Sequence, residues 1–149
     1  MSETVLTPRQ VLEKLFHTVV HGTRDELADL YAPDVVIEMP FAPAGAPKVS
    51  HGREEFRTRL KERAGRWVYT GVDVLHLHDT DDPEVVVAEY QVRGTVSSTG
   101  RPFAFTYIMV VRVRDGLIAV SRDYFNVLES MAALDATPEA IAGLIHGDA

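Results

Sequence analysis

Cysteine is absent from this chain of 149 residues. That excludes disulfides, thiolate metal sites and a cysteine nucleophile. Positive charge is scarce as well: 15 Lys and Arg face 22 Asp and Glu, a formal net charge of −7. Nucleic acid and anionic membrane both call for a basic face, so neither is the expected partner. The longest strongly apolar run, Tyr107 to Val111, is far too short to cross a bilayer. No basic segment leads into an apolar one at the N-terminus, so no secretory leader is expected and a cytoplasmic location is. Gly-rich phosphate loops, a Gly-x-Ser-x-Gly elbow and a dinucleotide fingerprint are all missing, and no cofactor is expected.

What is present suits a globular protein. Hydrophobic residues make up 46% and charged residues 25% of the chain, which is ordinary for a soluble fold with a true core. One domain spanning 1–149 is expected, with its core at about 8–128 and a tail of short helices at 129–149.

Thr7-Pro8-Arg9-Gln10 reads as an N-cap, a proline at the first helical position and a capping-box glutamine. Val11, Leu12, Leu15, Phe16, Val19 and Val20 then recur at helical spacing until Gly22. Thr23 and Glu26 open a second, short helix through Leu27, Leu30 and Tyr31, broken at Pro33-Asp34. A short strand over Val35 to Pro40 and a loop from Phe41 to Lys48 come next. A third helix begins at Gly52, with Phe56 and Leu60 inward, and stops at Gly65. Four strands follow: about Trp67 to His78, Glu84 to Val96, Pro102 to Arg114 and Leu117 to Val127. Their short, turn-rich links predict an antiparallel meander. The tail is expected to hold a helix over Leu128 to Leu134 and another capped by Thr137-Pro138-Glu139.

The last strand carries the most informative residue. One phase reads Leu117, Ala119, Ser121, Asp123, Phe125 and Val127, the other Ile118, Val120, Arg122, Tyr124 and Asn126. Asp123 thus shares a face with small and apolar residues. A carboxylate there is costly unless paired, hydrogen-bonded or lining a pocket. It is either a general base with a raised pKa or a group that holds the core in register, and both readings stand.

Glu38 and Tyr90 are the other chemical candidates. Alternation sets Val35, Ile37 and Met39 against Val36 and Glu38, which puts Glu38 outside unless a bulge exchanges the faces. Tyr90 falls in phase with Val86, Ala88 and Val92, where it serves either as core or as a hydrogen-bond donor to a ligand. His76 and His78 share one strand face without a convincing third ligand, so no metal site is expected. His17 and His21 lie one helical turn apart but lack the rest of a zincin motif; His51 and His146 read as surface.

Helix, helix, strand, helix and four long antiparallel strands make an α+β pattern. This order, with the phrases Leu30-Tyr-Ala-Pro-Asp34, Glu38-Met-Pro40, His51-Gly-Arg-Glu-Glu-Phe56 and Ser121-Arg-Asp-Tyr-Phe-Asn126, resembles the nuclear transport factor 2-like superfamily. Ketosteroid isomerases, SnoaL-like polyketide cyclases and limonene epoxide hydrolases are among its members. The resemblance runs from about Pro8 to Leu128. It implies a cone-shaped, curved antiparallel sheet wrapped around helices and enclosing an apolar pocket, a cystatin-like α+β roll.

It further implies that Asp123 faces the pocket as general base, and that Glu38, preceding Met39-Pro40, faces inward as an auxiliary acid or water-positioning group. Tyr90 becomes the donor to a developing oxyanion. Phe16, His17, Tyr31, Met39, Phe41 and Phe56 would line the pocket from the first half of the chain. Trp67, Val92, Phe105, Tyr107 and Phe125 would line it from the second, with the Phe41 to Lys48 loop at its mouth. The chain also departs from its relatives. The epoxide hydrolases carry an Arg and an Asp where Tyr90 and Val92 stand, which argues against epoxide opening. The isomerases carry a first-helix Tyr where this chain reads Leu15-Phe16-His17.

The leading expectation is a cofactor-independent enzyme doing acid–base chemistry on a small hydrophobic carbonyl compound: isomerisation, enolisation or aldol-type cyclisation. The alternative is a non-catalytic binder of hydrophobic ligands or a dimeric accessory protein. A homodimer across the outer sheet face, with Ile108, Val110, Arg93 and Arg112, is expected in either case.

Overall fold

The computed structural model describes residues 4–134. Its elements are α1 (Pro8–His21), α2 (Arg24–Ala28), β1 (Tyr31–Glu38), β2 (Val49–His51), α3 (Arg53–Glu62), β3 (Trp67–Asp79), β4 (Val85–Val96), β5 (Pro102–Arg114), β6 (Leu117–Phe125) and α4 (Val127–Leu134). The strands form one curved, unclosed sheet in the order β2-β1-β6-β5-β4-β3. The expected α+β architecture is present. The second tail helix and His146 lie outside the described residues.

Local chemistry sets the helix starts. Thr7 Oγ accepts from the Gln10 backbone N–H at 3.2 Å, and Gln10 Oε1 accepts from the Thr7 N–H at 2.9 Å. Thr23 caps α2 through the Glu26 N–H at 3.1 Å. α1 then lays Val11, Leu12, Leu15 and Phe16, all buried, on the sheet. Burial of each such side chain contributes on the order of 2 kcal/mol. In β4, Val86, Ala88, Tyr90 and Val92 are buried while the intervening residues keep exposure, as a strand with one covered face requires.

Two readings are corrected at the β1 edge. Tyr31 does not end α2; that helix stops at Ala28, and Tyr31 opens β1 opposite Ile118. The Ile118 N–H donates to the Leu30 carbonyl at 2.9 Å, a sheet bond that outweighs the weak propensity of a one-turn helix. The register shifts between Tyr31 and Val36, a stretch that contains Pro33, which has no N–H to give a ladder. β1 also runs parallel to β6, so this edge departs from the expected wholly antiparallel sheet. β2, unforeseen, is only three residues long and pairs with β1.

The outer sheet face carries exposed Val68, Leu75 and Ile108. The two outer arginines are engaged within the chain: Arg93 Nε lies 2.7 Å from Asp73, and Arg112 Nη1 lies 2.8 Å from Glu84. The rings of His76 and His78 stack at 5.9 Å, and His78 Nε2 sits 2.8 Å from Glu89. Among the described residues, no group of three metal-ligating side chains occurs and no helix is long and apolar enough to cross a membrane.

Gly94 is the tightest point of the sheet. A Cβ there would stand 2.0 Å from the Val68 carbonyl oxygen and 2.8 Å from the Phe103 ring. At Gly71 the nearest atoms belong to the end of the Arg93 side chain, which can move away. Gly94→Ala is therefore expected to destabilise by about 2 kcal/mol or more, as overpacking does, and Gly71→Ala by well under about 1 kcal/mol. Urea unfolding followed by circular dichroism checks the order of the two.

Candidate functional site

Strand register assembles the site. Tyr90 pairs with Tyr107, Tyr107 with Phe125, and Met109 with Asp123. Tyr90, Tyr107 and Phe125 therefore form one row across three strands, and Asp123 stands one step along on the same concave face. The Tyr90 and Tyr107 rings stack at 5.3 Å, and Phe16 of α1 closes on Tyr90 at 4.7 Å. Tyr31, at the start of β1, packs on Phe56 at 4.5 Å.

The Asp123 carboxylate accepts one hydrogen bond among the described residues, from Ser121 Oγ at 2.6 Å. Burial pushes its pKa up from 3.8 to about 6, against the opposing pull of the Ser121 bond. Near neutral pH it is thus poised between its two forms. The phenols of Tyr31 and Tyr90 are held well above their ordinary pKa, first by burial and then by the negative charge of Asp123. Tyr107 is raised too, by burial, then Tyr69 and then Asp123. All three are neutral donors.

Among the described residues, no hydrogen bond occupies Asp123 Oδ2 or the hydroxyls of Tyr31, Tyr90 and Tyr107.

Beside them a cleft of about 550 Å³ is lined by Trp67, Tyr69, Phe105, Tyr107, Phe125, Met39 and Leu60. Exposed Gly65, Ser97 and Ser98 mark its opening. Arg24, Arg63 and Arg66 also line it. Tyr107 belongs both to the cleft wall and to the group around Asp123, and so joins the two.

The anticipated site residues divide accordingly. Met39, Trp67, Phe105, Tyr107 and Phe125 line the cleft. Phe16, Tyr31, Tyr90 and Val92 are packed core on the same face, and Phe56 supports Tyr31.

Three anticipated residues are elsewhere. Glu38 pairs with Arg122 in the β1–β6 register, and its carboxylate lies 3.7 Å from Arg122 Nη1. Since Arg122 and Asp123 are consecutive, Glu38 is on the opposite sheet face from Asp123, as plain alternation with buried Val35 and Ile37 requires. His17 is exposed on α1, its ring tilted against that of His21 at 4.7 Å, because Phe16 takes the inward position. Phe41 is 61% exposed and meets Tyr124 at 5.1 Å on the outer side, so its loop is not the cleft mouth.

Sequence reasoning missed Tyr69 and the arginines. Tyr69 shares the phase of Trp67, a signal that was available. Arg63 and Arg66 sit around the Gly65 turn and read as ordinary surface charge.

The raised Asp123 pKa has a stability consequence. The protonated form is the one the fold favours, so its contribution is fully present below about pH 4 and is lost as pH rises through about 6. Asp123→Asn keeps an acceptor for Ser121 without the charge. It is expected to unfold at higher urea than wild type at pH 8, by roughly 2 kcal/mol after allowance for residual solvent contact, with no gain at pH 4.

A family model of the SnoaL-like domain matches residues 12–121. An uncharacterised PhzA/B-like protein of Pseudomonas aeruginosa is 29% identical over 142 residues, covering 95% of this chain and 99% of that protein. The crystal structure of a proposed isomerase from Bacillus subtilis superposes with a TM-score of 0.82 at 28% identity, covering 87% of this chain and 94% of the other. A proposed polyketide cyclase of Xanthomonas campestris shares the fold, with a TM-score of 0.72 at 20% identity over 85% of this chain and 96% of that one. With more than two thirds of its length inside the match, and the curved sheet and helix order of that fold, the chain belongs to the SnoaL-like domain family.

Proposed function

We propose that the protein is a cofactor-independent acid–base enzyme acting on a small hydrophobic carbonyl compound, by isomerisation, enolisation or aldol-type ring closure. One observation carries this reading. A carboxylate that burial raises to a pKa of about 6, bonded to Ser121 Oγ, stands on the concave face beside the neutral phenols of Tyr90 and Tyr107. Asp123 Oδ2 would remove a proton from carbon beside the substrate carbonyl. The hydroxyl of Tyr107, assisted by Tyr90, would donate to the oxygen on which negative charge develops. The aromatic cleft wall would hold the rest of the substrate.

Glu38 has no part in this chemistry, because it lies across the sheet. Epoxide opening by an Asp–Arg–Asp set is disfavoured by Tyr90 and Val92 at the positions of the Arg and second Asp. A second reading, a ligand-binding or accessory protein, is favoured by one fact: Asp123 itself is not among the residues lining the cleft. The proposal extends to a homodimer formed across the outer face at Val68 and Ile108.

The test is a turnover screen over cyclic ketones and enones. In the enzyme reading, the base must be ionised, so activity rises with pH to a plateau above about 6 and falls about tenfold per unit below it. Asp123→Asn is expected to lower turnover by about 100-fold or more, and Tyr107→Phe by about 10-fold. Turnover that survives Asp123→Asn with an unchanged pH profile removes Asp123 from the base role. Ligand binding without turnover in wild type selects the second reading.

A further inference from the structure

Among the described residues three polar side chains are buried, Thr18, Ser50 and Ser121, and Ser121 has no exposure at all. Thr18 rests its hydroxyl on the Lys14 carbonyl one helical turn back, at 2.7 Å, a bond any helical threonine can make. Ser121 sits in a strand, where the backbone offers no such local outlet. Its Oγ donates instead to Asp123 Oδ1 at 2.6 Å. Its cross-strand neighbours are apolar: Val111 on β5 and Ile37 on β1, both buried. Valine or alanine would fill such a place without a polar group to satisfy. The hydroxyl matches the carboxylate, not the packing around it.

The sheet holds the two residues unequally. Ser121 is flanked by a strand on each side, β5 and β1. The β1–β6 pairing ends one residue later, at Glu38 opposite Arg122. Asp123 thus lies past the end of β1 and pairs with Met109 on β5 alone. Same-face neighbours on a strand stand two rises apart, roughly 6.6 Å. A 2.6 Å bond between two such short side chains fixes the direction of the carboxylate as well as its distance. A firmly held donor therefore steadies a base on less supported backbone.

We propose that Ser121 is a positioning residue for the acid–base chemistry, holding Asp123 Oδ1 so that Oδ2 is the oxygen that takes up and returns the proton. In the forward step the C–H bond beside the substrate carbonyl breaks and an O–H bond forms at Oδ2. The C–H electron pair becomes the enolate double bond, and the carbonyl pair moves onto its oxygen. Returning the proton to carbon restores the carboxylate. The Ser121 hydrogen stays on Oγ throughout: it donates to a carboxylate oxygen before the step and to a carbonyl oxygen after it. Because this bond favours the charged form, it also keeps the Asp123 pKa below the value that burial alone would give. The proposal deepens the acid–base reading and rests on it for the chemistry, though not for the effect of Ser121 on Asp123.

Two measurements on the whole protein test it. One is carbon-13 NMR titration of the Asp123 carboxyl; the other is deuterium exchange at the benzylic carbon beside the carbonyl of 2-tetralone, followed by proton NMR. In Ser121→Ala the titration midpoint is expected to rise from about 6 to about 7, since a hydrogen bond to a charged group is worth about one pH unit or more. The exchange profile should move with it. On its plateau kcat should fall about 10-fold at unchanged KM, because Ser121 does not line the cleft. Ser121→Thr keeps the hydroxyl and should restore both. Ser121→Cys fills the site with a weaker donor and should give a smaller rise, which decides the matter if the alanine variant does not fold. Val111→Ala loosens the same packing without touching the bond and should leave the midpoint where it is. A midpoint unmoved in the Ala and Cys variants, or moved equally in Val111→Ala, would overturn the proposal. So would a shifted midpoint with wild-type kcat in Ser121→Ala, which leaves the acid–base reading standing and removes the positioning role. Exchange that survives Asp123→Asn removes the acid–base reading itself, whatever the midpoint in Ser121→Ala.

Discussion

Keeping the Asp123 carboxylate away from bulk water is the constraint around which this molecule is arranged. A solvated aspartate is ionised well below neutral pH and is a weak base. On the concave face of the sheet the same group is desolvated, receives a single hydrogen bond from Ser121, and is raised to a pKa of about 6. The fold supplies that environment by geometry alone. The antiparallel register of β4, β5 and β6 aligns Tyr90, Tyr107 and Phe125 in one row, and α1 covers the far end of that row with Phe16. Burial, with a smaller contribution from the charge of Asp123, keeps the neighbouring phenols protonated, so base and donors share one environment.

A carboxylate in this position is a cost that unpaired burial imposes on stability. The hydrogen bond from Ser121 partly relieves it. The cleft beside the carboxylate is walled by Trp67, Phe105, Tyr107 and Phe125, and Tyr107 links that wall to the surroundings of Asp123.

Much of this was legible in the sequence because it rests on strand alternation. Asp123 in phase with Ser121 and Phe125, and Tyr90 in phase with Val86 and Val92, follow from a period of two and required no tertiary information. The capping box at Thr7 and the turns between the long strands marked element boundaries closely. Glu38 shows the limit of importing a likeness over the local pattern: alternation set it outside, and its pairing opposite Arg122 keeps it there. His17 and Phe41 failed for a related reason, since a helix face and a loop direction depend on which neighbour claims the interior. The arginines of the cleft were invisible because Arg24, Arg63 and Arg66 come from two chain segments, which the packing of α2 on α3 and of Arg24 over the Tyr69 ring brings together.

The protonation of Asp123 can be followed directly by carbon-13 NMR of its side-chain carboxyl, assigned by difference against Asp123→Asn. A titration midpoint near 6, with the Tyr31, Tyr90 and Tyr107 ring signals shifting through the same transition, is the result this account predicts. A midpoint near 4, with the tyrosine signals unmoved, would place the carboxylate in ordinary solvent and contradict it.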